Sequence, residues 1–245
     1  MANLIVDEGN TLCKIAVLDK SEVLCEVAVS EFDMAQAAEY IERYAVDKAV
    51  VASTRGGAEQ ICEKLRSKIA RVLHFTPQTE VPIAVEYTSR QTLGADRIAV
   101  AVGVVCEMGI NDALIVDMGS AITYDVVEGG AFKGGNISLG VAMRFRALHE
   151  FTASLPLCEA TEPTAEFGNS TKEAIEQGVM QGVLYEIEGY AERFQKKNEK
   201  KSIIFCGGDA ESFVNRIKNA IFAPRKLMFT GLNRILEYNV SKNNI

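Results

Sequence analysis

Hydrophobic positions along this chain fall into short strand-like runs separated by stretches of helical spacing. Residues 3–7, 12–18 and 23–29 read as three successive strands rich in Leu, Ile and Val. From 34 to 44 the period changes, and Met34, Ala37, Ala38, Ile41 and Ala45 line one helical face. A buried strand at 49–53 follows, then a helix opened by Gly56 and Gly57 and running to Lys68. Residues 72–75 and 83–87 form extended pieces around Pro77 and Pro82, and 94–108 read as a helix with Ile98, Val102 and Val105 on its face. The second half repeats the scheme, with strands at 113–117, 121–127 and 130–133 and helices at 141–151 and 171–194. A strand at 202–205, a helix at 210–218, a last strand at 226–229 and a terminal helix at 231–238 complete it. A strand meander followed by alternating helices and strands predicts an α/β fold, a mixed sheet with helices on its faces, made twice. The expected domains are 1–111 and 112–245. The linker-like stretch at 157–169 fits a mobile cover loop.

The duplication is also written in one repeated phrase. Leu4-Ile5-Val6-Asp7-Glu8-Gly9-Asn10-Thr11 returns as Leu114-Ile115-Val116-Asp117-Met118-Gly119-Ser120-Ala121. Each copy is a buried-strand run that ends in a carboxylate and enters a glycine turn. The separation is too long for a solenoid repeat. Two facing halves would set two Asp-Gly hairpins across one cleft, where bare backbone N–H groups cradle phosphate.

Composition narrows the setting. A net charge of −7 without a long basic block argues against nucleic acid and against a membrane surface. Lys196-Lys197 with Lys200-Lys201 is interrupted by Asn198 and Glu199 and reads as a solvated helix end. No apolar run is long enough to span a bilayer. Cysteines 13, 25, 62, 106, 158 and 206 contain no C-x-x-C pair and sit mostly in apolar stretches. They read as reduced core thiols and point to a cytoplasmic protein.

Four stretches carry candidate chemistry. Asp7, Glu8, Gly9, Asn10, Thr11, Leu12, Cys13 and Lys14 offer a carboxylate for hydrated Mg²⁺, phosphate donors and a lysine. Gly94-Ala95-Asp96-Arg97 offers a base for a substrate hydroxyl and a planar cation for an anionic substrate group. Asp117 to Thr123 form the second hairpin, and Gly134-Gly135 beyond it allow approach of a ligand or a neighbouring strand. Gly207-Gly208-Asp209 make a strand-to-helix turn on which a nucleotide base or ribose could lie. The residues alone leave open a kinase for one of several small alcohols, or a regulatory relative that keeps the fold without catalysis.

Together these motifs resemble the type III pantothenate kinases of the acetate and sugar kinase/Hsp70/actin superfamily. The resemblance runs through Asp7-x-Gly9-Asn10-Thr11-x-x-Lys14, Gly94-x-Asp96-Arg97, Asp117-x-Gly119-Ser120-Ala121-x-Thr123 and Gly134-Gly135-x-Ile137. It continues through Leu148-His149, Thr152-Ala153-x-Leu155-Pro156, Gly168-x-Ser170-Thr171, Gly207-Gly208-Asp209-Ala210 and Gly231-Leu232-Asn233. It implies a duplicated ribonuclease H-like (actin-like ATPase) fold. It also implies ATP-dependent phosphorylation of the pantothenate hydroxyl, the first step of coenzyme A synthesis, with Mg²⁺, K⁺ or NH₄⁺, and a homodimer. By the same resemblance, Asp7 to Lys14, Ser120, Gly207 and Gly208 meet ATP and metal, and Asp117 ligates the monovalent cation. Asp96 is the base, and Tyr87, Gly94 to Arg97 and Thr171 line the pantothenate site. Ser120 and Cys206 stand where Thr is usual, and Leu139 and Arg90 where Pro is usual; none of the four removes a charged group.

Overall fold

The computed structural model describes residues 2–162, 166–196, 201–223 and 226–245. Residues 163–165 of the expected cover loop, and Lys197 and Lys200 of the basic cluster, lie outside the described residues. No helix among the described residues is long and apolar enough to cross a membrane.

The first sheet comprises β1 (Asn3–Glu8), β2 (Cys13–Asp19), β3 (Glu22–Val29), β4 (Lys48–Ser53) and β5 (Arg71–His74). The second comprises β6 (Ala113–Met118), β7 (Ala121–Glu128), β8 (Ala131–Leu139), β9 (Ser202–Cys206) and β10 (Ala220–Phe222). Their strand orders are β3-β2-β1-β4-β5 and β8-β7-β6-β9-β10, the same order twice. In each, a central strand pairs antiparallel with the strand after it and parallel with the crossover strand beyond. The mixed sheet made twice is therefore present, each copy flanked by helices.

Helix α1 (Met34–Tyr44) starts where the Asp33 side chain accepts from the Ala35 N–H at 2.9 Å. Helix α2 is Ala58–Arg66, α3 is Ala95–Val102, α4 is Val141–Glu150 and α5 is Thr171–Gln195. Helix α6 (Glu211–Val214) is a single turn, and α7 spans Leu227–Ser241. The chain divides into two compact units. One comprises 1–111, 128–133 and 225–245, and the other 112–127 and 134–224. In the first, Leu4, Val6, Ile15 and Val51 bury against Ile41 of α1 and Ile61 and Leu65 of α2. In the second, Leu114, Val116, Tyr124 and Phe205 bury against Val179, Val183 and Ile187 of α5.

Several expected elements come out differently. The apolar run 226–229 belongs to α7 rather than to a strand. Gly231, which looked like a helix start, lies within that helix because a Cβ there would strike the Ala99 carbonyl of α3. The mirror contact sets Gly103 against Leu227, whose carbonyl oxygen would lie 2.7 Å from an added Cβ. Beyond Val102 the expected helix widens into a π turn over Gly103–Glu107. Residues 83–87 make only one parallel bridge, Val85 to Phe132. Gly134-Gly135 lies inside β8, where Gly135 lets the backbone press on Tyr124 and Asp125, so the neighbouring-strand reading holds there.

Candidate active site

The first hairpin ends a strand that is buried along nearly its whole length. Asp7 is 6% exposed and sits directly across from Lys14 in the antiparallel register, so the carboxylate and the ammonium share one face of the sheet. The bend encloses 9–12 and is closed by the Gly9 N–H donating to the Leu12 carbonyl at 3.0 Å. Cys13 packs beneath it, and burial, with the Glu8 and Asp7 carboxylates, pushes its thiol up to about 11. The turn from β4 to α2 grips the hairpin. Ser53 donates to the Glu8 carboxylate at 2.5 Å, and the Thr54 N–H donates to the Glu8 carbonyl at 2.9 Å.

In the same unit, Gly94 to Arg97 open α3. Asp96 is half-buried and accepts the Arg97 N–H on Oδ1 at 2.8 Å. Gly94 has no room for a Cβ, which would meet that oxygen. Arg97 is buried, its guanidinium 5.8 Å from the centre of the Phe132 ring. Tyr87 meets the same ring edge-on at 6.1 Å. Tyr87 and Gly94 to Arg97 are thus brought together, and Phe132 is the residue that joins them.

The second hairpin is tighter. Its bend encloses only 119–120, and Asp117 faces Thr123 where Asp7 faces Lys14. Flanking turns press on it through bare backbone. A Cβ on Gly140 would strike the Gly119 and Ser120 carbonyls, and one on Gly207 the Met118 main chain. Gly207 adopts φ +91°, whereas Gly208 beside it looks onto open space. The Asp209 N–H donates to the Met118 carbonyl at 3.1 Å, and burial raises the Asp209 carboxyl. Arg144 holds the β8–α4 turn, donating to the Leu139 carbonyl at 2.9 Å, the Ser138 hydroxyl at 2.9 Å and Glu186 at 2.5 Å. Burial opposes ionisation of Glu186, but the Arg144 guanidinium hydrogen-bonded to it keeps its carboxyl below the usual carboxylate range.

Thr171 opens α5 and lines a groove of 770 Å³ between α4 and α5, with Leu139, Arg144, Leu148 and Phe151. His149 donates from Nδ1 to the Leu155 carbonyl at 2.8 Å and so fixes the chain leaving α4.

A family model described as type III pantothenate kinase matches residues 3–193. The chain belongs to that family. A type III pantothenate kinase of Phocaeicola vulgatus is 37% identical over 238 residues, covering 97% of this chain and 98% of that protein. A solved Campylobacter jejuni structure, described as a Baf family transcriptional activator, superposes with TM-score 0.64 at 23% identity over 97% and 99% of the two chains. A Listeria monocytogenes protein described as an N-acetylmannosamine kinase gives TM-score 0.60 at 14% identity over 98% and 100%. Those two likenesses share the fold of this type III pantothenate kinase family member.

Residues beyond the family motifs also shape the site. Ser53, Thr54 and Arg55 were legible only as a small polar run with a cation before two glycines, and Phe132 only as an aromatic beside Lys133. Arg144 and Glu186 lie on separate helices and left no sequence signal. For a metal, the donor set is sparse. No group of three metal-ligating side chains occurs among the described residues, so an ion held at Asp7 would need most of its ligands from bound ligand and water.

Proposed function

We propose that the protein transfers the γ-phosphoryl group of ATP to the primary hydroxyl of pantothenate, yielding 4′-phosphopantothenate and ADP. Family membership over nearly the full chain carries the reading, and Asp96 at the head of α3 supplies its chemistry. Oδ1 of Asp96 is engaged by the Arg97 N–H, which leaves Oδ2 to accept the hydroxyl proton. The pantothenate oxygen forms its bond to the γ-phosphorus as the bond to the β,γ-bridging oxygen breaks, and ADP carries away that electron pair. The carboxylate serves by orienting the hydroxyl, because this loose transition state needs the proton removed late. Arg97 pairs with the substrate's anionic end, and Tyr87 and Thr171 complete the pantothenate site.

Asp7 to Lys14 serve the ATP phosphates and Mg²⁺, which neutralises charge on the transferring group. Ser120, Gly207 and Gly208 meet ATP. Asp117, facing a hydroxyl rather than an ammonium, holds K⁺ or NH₄⁺. The halves 1–111 and 112–245 each supply one hairpin. A second copy of the chain covers the α4–α5 groove, because Phe151, Leu139 and Met143 are exposed on and beside its rim. Sedimentation should then report a homodimer. Six free cysteines favour a cytoplasmic enzyme.

ADP release measured with pantothenate, Mg²⁺ and K⁺ tests the reading, alongside a panel of other small alcohols. Asp96→Asn should lose roughly a hundredfold or more in turnover while ATP affinity holds. Wild-type turnover in that variant, or a stronger response to another alcohol, would overturn the assignment.

A further inference from the structure

The turn after β4 carries a cation, Arg55, that lies outside the motifs quoted above. Arg55 donates from Nε to the Asn10 carbonyl at 3.2 Å, at the bend of the first hairpin. From Nη1 it donates to the Ser30 carbonyl, also at 3.2 Å, in the turn before α1. Its own turn is fixed, because the Arg55 and Gly56 N–H groups both donate to the Ser53 hydroxyl at 3.0 Å. That hydroxyl in turn donates to Glu8. The Glu8 carboxylate stands at the head of α2, where a Cβ on Gly57 would come within 2.6 Å of it. Ser53, Thr54 and Arg55 therefore hold the hairpin at Glu8, where the bend begins, and at Asn10 within it. Arg55 is exposed, and no carboxylate among the described residues lies within ion-pair distance of it. A guanidinium spent on two neutral carbonyls keeps its whole charge beside a phosphate-binding bend.

We infer that Arg55 is a positioning residue for the ATP phosphates. It fixes the main chain of Asn10 and sets a positive charge against the triphosphate. The inference rests on the first hairpin being a phosphate site. A planar fork bridging two carbonyls does what a lysine cannot, since one ammonium on a flexible stem does not hold both oxygens in place. The role is selective. Pantothenate recognition lies with Tyr87 and Arg97, so loss of Arg55 falls on ATP.

The test compares Arg55→Met, Arg55→Lys and Asp7→Asn in the full chain, reading KM for each substrate, kcat and the heat of ATP binding without pantothenate. Arg55→Met should raise KM for ATP about tenfold and leave KM for pantothenate within about twofold. Arg55→Lys should recover only part of that loss. A rise shared equally by both substrates, with a lowered melting temperature, would mean a merely structural role and overturn the inference. Full recovery in Arg55→Lys would overturn the positioning half, because charge alone would suffice. If Asp7→Asn weakens ATP binding while Arg55→Met does not, the Arg55 inference falls alone. If neither weakens it, the phosphate-site reading falls first.

Discussion

The two aspartate-tipped hairpins begin as the same strand and are finished by opposite means. The first has the longer bend, with Leu12 41% exposed, and it is held from outside by hydrogen bonds from Ser53, Thr54 and the exposed Arg55. The second is short and wedged between glycine turns, and behind it stands the half-buried Arg144–Glu186 pair. Across from Asp7 is an ammonium, and across from Asp117 a hydroxyl. A lysine opposite the carboxylate suits polyanionic phosphate. A threonine opposite it offers a hydroxyl and brings no positive charge. The two copies share one scaffold and differ in the residue that faces the aspartate.

Adding one methyl group to each copy should separate them most. Gly140→Ala overpacks the second hairpin against its own carbonyls and should cost about 1–3 kcal/mol, with ATP affinity falling alongside. Gly9→Ala meets the Leu12 carbonyl at 3.3 Å and should cost only about 0.5 kcal/mol. Denaturant melts of the two variants check the order, and equal losses would erase the contrast.

Removing one polar partner from each should separate them less. Glu186→Gln strands Arg144, and because both side chains keep some solvent the cost is roughly 1–3 kcal/mol, below that of a fully buried pair. Ser53→Ala should cost about 1 kcal/mol.

Titration should split the hairpins by sign. The lowered carboxyl of Glu186 contributes stability that is complete above its ordinary value of 4.5 and is lost as pH falls through its lower folded value. The raised thiol of Cys13 contributes stability complete below 9.0 and lost as pH rises toward about 11. Amide exchange should therefore loosen the second hairpin first in acid and the first hairpin first in alkali. The smallest effect is ionic. Replacing K⁺ by Na⁺ should slow turnover several-fold if Asp117 holds the larger ion, and equal rates would remove it from that role.

The sequence displayed the duplicated sheet clearly, because Leu-Ile-Val-Asp marks a buried strand and its exit in both copies. It aligned Thr11 with Ala121, yet Thr11 lies in the bend and Ala121 begins β7. Loop length escapes a pattern in which only the strand is constrained. The terminal run 226–229 was misread because four residues satisfy either period, whereas the longer segment packs on α3 as one continuous helix. Asp96 and Arg97 were legible as an adjacent pair. Their aromatic partner Phe132 was not, since it arrives from a distant strand. Arg55 was hidden for a similar reason, because its partners are main-chain oxygens, which have no letter in the sequence.

The seating of α7 on α3 orders events during synthesis. The unit whose first sheet is made early waits for α7, more than a hundred residues after α3, before Asp96 has a rigid support. A nascent chain stalled short of Leu227 should be cleaved by protease near α3 while its first sheet resists, and extension through α7 should abolish that cut.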